Sequence, residues 1–186
     1  MADGMLRLVR DIRAGGLVRA GGAGQATVVC VTTGSITRDM CQVGDCWLTP
    51  KHPVCWRGKW LQPDQVAARV RRSTPHFNFI LDRGYSVFVD GLECLTLADD
   101  GNGTPEEVAT LGRSIWSSKG VLAFMRTRPD FPFVNMDLCG DKFLVMAEIA
   151  RLNELALQQE EREVGLANPF ATQPASATLA APVCVQ

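Results

Sequence analysis

Phe77-Asn78-Phe79-Ile80-Leu81-Asp82-Arg83-Gly84-Tyr85-Ser86-Val87-Phe88-Val89-Asp90-Gly91 is the stretch on which the fold turns. Both halves are rich in β-branched and aromatic residues, which suit a pleated, half-buried surface. Arg83-Gly84 between them reads as a turn, so residues 77–82 and 85–90 are predicted to form a hairpin. Asp90-Gly91 supplies a second turn before Leu92-Glu93-Cys94-Leu95-Thr96-Leu97, whose alternating character suits one more strand. Upstream, Gln25–Thr33 is another β-branched run, with glycines before it and Gly34-Ser35 after it. Strands this short and frequent predict a mainly β region over residues 1–98. One helix is expected inside it, from Pro63 to Val70, with the proline acceptable in a first helical turn. Taken alone, the hairpin block describes core strands and tight turns and carries no function.

Three further segments follow. Residues 99–139 read as a mixed α/β extension, opening with the loop Asp99-Asp100-Gly101-Asn102-Gly103. A helix start follows at Thr104-Pro105-Glu106-Glu107, where threonine can cap and the acids favour the N-terminus. Pro129 and Pro132 break up what comes next. Residues 140–166 hold the clearest helix, from Asp141 to about Val164, with Phe143, Leu144, Ala147, Leu152, Leu155 and Ala156 as its apolar face and Gly165 as its stop. Residues 167–186 are too poor in large apolar side chains to fold alone and are expected to be a disordered tail, in which Cys184 has no role.

The bulk numbers exclude more than they assert. A net charge of -1 gives no reason to expect a nucleic-acid partner, and Arg69, Arg71 and Arg72 read as a solvated turn face. No apolar run reaches eighteen residues, so no membrane span is expected, and the start of the chain lacks a signal-peptide core. A cytoplasmic location is the expectation. The seven cysteines are odd in number and irregularly spaced, which favours reduced thiols. Nothing in the sequence calls for a cofactor.

Chemistry is concentrated in Trp47-Leu48-Thr49-Pro50-Lys51-His52-Pro53-Val54. A hydroxyl and an imidazole stand three residues apart, each beside a proline that stiffens the turn. A histidine held next to a peptide bond can protonate the departing amide nitrogen, and a neighbouring threonine can hydrogen-bond that amide. The plainer alternative is a turn with a structural histidine. Cys41, Cys46, His52 and Cys55 are also ligand types for zinc, but their spacing fits no common finger or ribbon, and alternation along strands would send some to opposite faces. The metal expectation is therefore none. A classical hydrolase is disfavoured: His52 and His76 are the only histidines, no G-x-S-x-G elbow occurs, and Cys30 with His52 lacks a cysteine-protease signature.

Three ordered blocks resemble the Hint family of inteins and hedgehog autoprocessing domains. The first is Asp3-Gly4 through Asp11-Ile12 to Gly15, similar to that family's opening strand pair. The second is Thr49 and His52 followed by Gly58-Lys59-Trp60, and the third is Phe77 to Gly91. With Leu92–Leu97 after them, they look most like the Hint modules attached to von Willebrand A domains. The resemblance implies a compact, pseudo-symmetric, mainly β module that acts in cis on its own polypeptide. In that family a leading cysteine attacks the preceding carbonyl, and water, a sterol or a downstream side chain resolves the thioester. Thr49 and His52 would bind and protonate the scissile amide, and Asp82 would take an acidic position of the last block.

The departures are as definite. No cysteine precedes Asp3, the first being Cys30; Tyr85 stands where the family has histidine; and Ala98-Asp99-Asp100 replaces a late histidine. The expectation is that the nucleophile strand lies just ahead of Met1 or has been lost, and that the chain as given does not cleave itself. The alternative class is a non-catalytic β-rich module for a protein partner, with the 141–164 helix packed on it or on that partner.

Overall fold

A computed structural model describes residues 7–22, 24–34, 38–97 and 119–167. Among the described residues eleven strands run in chain order: β1 Leu17–Gly21, β2 Gly24–Gly34, β3 Arg38–Val43, β4 Cys46–Leu48, β5 Val54–Trp56, β6 Lys59–Leu61, β7 Arg69–Arg72, β8 His76–Leu81, β9 Ser86–Val89, β10 Leu92–Leu95 and β11 Phe133–Asn135. Among the described residues two α-helices accompany them, α1 Lys119–Arg126 and α2 Lys142–Ala167. The larger sheet has the order β11-β2-β1-β9-β10-β5-β6 with β8 also paired to β2, and β4-β3-β7 forms a second sheet. The architecture is mainly β. Residues 98–118, including the helix start expected at Thr104, lie outside the described residues, as do Asp3-Gly4 and the tail beyond 167.

The turn at Asp90-Gly91 forms as read. Val89 pairs with Leu92, and both turn residues have positive φ (49° and 78°), the backbone of a two-residue hairpin whose twist matches its strands. Arg83-Gly84 does not make a hairpin. β8 pairs antiparallel with β2, from Val28↔Leu81 to Gly34↔His76, whereas β9 pairs with β1 and β10. At Arg83-Gly84 the chain instead passes from β8, which among the described residues pairs with β2 alone, to β9, which lies between β1 and β10.

Other expectations are corrected. Pro63 starts only a three-residue 3-10 turn, Pro63–Gln65, and Arg69, Arg71 and Arg72 belong to strand β7. All four residues of β7 are solvent-exposed, so the solvated part of that reading holds. Val9–Asp11 is a 3-10 turn rather than part of a strand pair. Helix α2 runs through Gly165 to Ala167. Its start is capped by Asp141, whose Oδ1 accepts from the backbone N–H of Phe143 (2.8 Å) and Leu144 (3.2 Å). The buried face of α2 is Val145, Ile149 and the partly buried Leu152, while Phe143 is 80% exposed and Leu144 72%.

Strands β2 and β8 are the centre of the molecule because they are buried on both faces. Val28, Val31, Phe79 and Leu81 face a cluster with Ile12, Val18 and Val87. A register shift between Val28 and Cys30 turns Cys30 to the other face. There Cys30 and Ile80 pack against Val121, Phe124 and Met125 of α1, Val134 of β11, and Val145 and Ile149 of α2. β11 pairs in parallel with β2, Phe133↔Val31 to Asn135↔Thr33.

Candidate functional site

The segment between β4 and β5 carries Thr49 and His52. Pro50 occupies the second position of a tight turn that the His52 N–H closes on the Thr49 carbonyl at 3.0 Å. The turn is braced from two sides. Asp64, in the 3-10 turn, donates its backbone N–H to the Pro50 carbonyl (3.2 Å), and its carboxylate pairs with Lys51 (3.1 Å) and with Arg69. Arg69 and then Lys51 hold the Asp64 carboxyl below the usual carboxylate range. On the other side, the Leu95 N–H donates to the Pro53 carbonyl at 3.0 Å, and the His52 ring hydrogen-bonds the Leu95 carbonyl.

Loss of water around the ring pushes the His52 pKa down to about 4, against the opposing effect of the Leu95 bond. The imidazole is therefore neutral at pH 7 and carries a lone pair able to take up a proton. Thr49 and His52 line a cavity of about 1190 Å³, and Leu8, Val9 and Arg10 line the same cavity. The first residues described in the chain thus form a wall of the space into which the turn opens.

Asp82 is not among the residues lining that cavity. Its Oδ1 accepts from the Thr27 N–H (2.8 Å), its own N–H donates to the Thr27 carbonyl (3.0 Å), and Arg83 Nε lies 3.7 Å away. These contacts tie the end of β8 to β2. Tyr85 sets its ring 6.1 Å from that of Trp60, so the second and third sequence blocks meet there. Its pKa is raised by burial.

Five of the described cysteines are poor nucleophiles where they stand. Burial raises the thiols of Cys30 (to about 11), Cys41, Cys46, Cys94 and Cys139. Cys30 lies in the core beneath the helices rather than on the cavity that holds His52. Among the described residues no three His, Cys, Asp or Glu side chains gather as a metal site, and Cys41, Cys46, His52 and Cys55 do not converge.

Two cavity residues were not legible from motifs. Arg38 and His76 line the same space, His76 having figured only as the second histidine. The β2–β8 pairing, which the hairpin reading had hidden, is what carries His76 there. In comparison with known proteins, a family model described as Vint, a Hint-domain, matches residues 1–110. No curated protein matches the chain.

Proposed function

The chain belongs to the Hint-domain family, and from that premise we propose that it supplies the assisting side chains of a self-processing reaction, an N–S acyl shift at a peptide bond brought into the Thr49/His52 cavity. The observation that carries this reading is the shared cavity: the T-x-x-H turn and residues 8–10 line one space. A scissile bond ahead of residue 8 has only a short chain distance to cover.

The residues divide the work as follows. A thiol leading the module attacks the carbonyl carbon of the residue before it, forming the C–S bond as the C–N bond breaks. His52, neutral because it is desolvated, takes the thiol proton and delivers it to the departing nitrogen, which would be a very poor leaving group as an anion. Thr49 hydrogen-bonds the same amide and limits its rotation. The products are a thioester and a free amine, with every proton accounted for. None of the buried thiols above fits the role of attacker, and in this reading the nucleophile is a cysteine placed ahead of the first block.

The test is a reporter joined through a cysteine-led strand to Met1. Thiol should release the reporter, and His52→Ala should stop release while the protein stays folded. A wild-type fusion that remains intact under thiol sinks the reading.

A second reading, a non-catalytic platform for a protein partner, is favoured by one observation. Leu138 (69%), at the end of the 3-10 turn ahead of α2, and Phe143 (80%) and Leu144 (72%) at the start of α2 expose large apolar side chains close together in sequence. The same fusion separates the two readings, because a platform would leave the reporter attached.

A further inference from the structure

The cavity has a second polar group in its wall. Arg38 opens β3, His76 opens β8, and Asp137 lies in the 3-10 turn Met136–Leu138 that follows β11; all three line the cavity. Arg38 Nε and His76 Nδ1 are buried, and neither has a hydrogen-bond partner among the described residues. Buried polar atoms are almost always paired, so two orphans on side chains in the wall of one cavity call for a physical reason.

Their donor and acceptor roles can be assigned. The His76 ring bonds the Gly34 backbone, and it lies so close to Gly34 that a Cβ there would collide with it. Since Nδ1 is unpaired, that bond uses Nε2–H, which leaves Nδ1 as a lone pair. Desolvation and then the Arg38 charge hold the ring below its usual pKa, keeping the lone pair bare at neutral pH. Burial lowers the Arg38 pKa against the opposing Asp137 charge, and the Nε–H of its guanidinium can only donate. A ligand group satisfying both must accept on one side and donate on the other.

We propose that Arg38 and His76 form a subsite for a backbone peptide group of an extended segment lying in this cavity, its C=O accepting from Arg38 Nε and its N–H donating to His76 Nδ1. A trans peptide presents its C=O and N–H in opposite directions, as insertion between two side chains requires. A carboxylate would serve Arg38 but bring no proton to His76, and it would meet the like charge of Asp137. The volume, about 1190 Å³, exceeds the roughly 300–1,000 Å³ of small-molecule pockets and suits a length of chain. Phe77, Met136 and Val145 give it apolar walls for the side chains of that segment. Neither orphan touches solvent as the site stands, so the peptide group enters by parting the two side chains. This subsite rests on the processing reading and names what would hold the acyl-side segment while the Thr49/His52 turn acts on its end.

With only two histidines in the chain, ring resonances in ¹⁵N-histidine-labelled protein report the subsite directly. The probe is N-acetyl-leucine N′-methylamide, with N-acetyl-leucine as anion control and hexanol as hydroxyl control. The amide should shift the His76 ring signals saturably. Arg38→Met and His76→Phe should each weaken binding about tenfold, as loss of one hydrogen bond does, and His76→Gln, which keeps an acceptor, should recover part of it. The subsite is refuted if the amide gives no saturable shift, if the anion or the alcohol binds as well as the amide, or if the substitutions change nothing. The wild-type titration alone decides should a variant fail to fold. Binding of the amide without reporter release in the fusion overturns the processing reading and leaves the subsite; release without binding overturns the subsite alone.

Discussion

His52 places an ionisable ring where water is scarce, and this links its chemistry to stability. Its folded pKa of about 4 lies below the ordinary 6.5, so the folded state refuses a proton that the unfolded chain accepts as pH falls. The stability it allows is complete above pH 6.5 and is lost progressively toward pH 4, at up to about 1.4 kcal/mol per pH unit. His76 shifts in the same direction and adds to the slope. Urea titrations between pH 7 and 4 should show this decline, and His52→Gln should remove the larger share of it. If the variant and wild type fall in parallel, the ring is not desolvated in solution. The same neutrality suits the proton transfer proposed above, because a permanently charged imidazole could not accept the thiol proton.

At the level of elements, helix α2 tests how far a one-dimensional pattern reaches. Its first turns carry apolar residues in a run, Phe143-Leu144-Val145-Met146, so three- and four-residue spacings can be drawn through more than one face. The face drawn from sequence ran through Phe143, Leu144, Ala147, Leu152, Leu155 and Ala156; the packed one keeps Leu152 and otherwise runs through Val145 and Ile149. Ile149→Ala should cost about 2–5 kcal/mol, while Leu144→Ala should stay within roughly 0.5 kcal/mol, both read as shifts in denaturation midpoint. Equal costs would reject this helix orientation. The hairpin misreading has a related cause. Short strands announce themselves by composition, and a turn such as Asp90-Gly91 does so by its backbone requirement. Which strand lies beside which is decided by the whole sheet, so the pairing of β8 with β2 was not readable from Arg83-Gly84. The Thr49–His52 turn was legible because its chemistry sits within four residues. Arg38 and His76 are 38 positions apart and meet only through that unread pairing.

For the whole molecule, the consequential fact is that the family match ends at residue 110 while the core does not. Cys30 and Ile80, on central strands of the β module, are covered by side chains from residues 121–149. Each large apolar side chain kept from water contributes roughly 1.5–3 kcal/mol, and six buried ones come from α1, β11 and α2, so the shared interface rivals the net stability of a typical domain. Removing it would also strip β11 from β2 at Val31–Thr33 and open a hydrogen-bonding edge, a template for aggregation. The extension supplies part of the cavity wall as well, through Met136, Asp137 and Val145. A chain cut after residue 110 should therefore lose its cooperative thermal transition, bind a hydrophobic dye and aggregate at micromolar concentration. A chain cut after residue 167 should melt as the full one does. If the 110-residue piece melts cooperatively at the temperature of the full chain, the extension is an appendage. The cavity would then have to be rebuilt without its second wall, and the Arg38–His76 subsite would lose the side on which Asp137 stands.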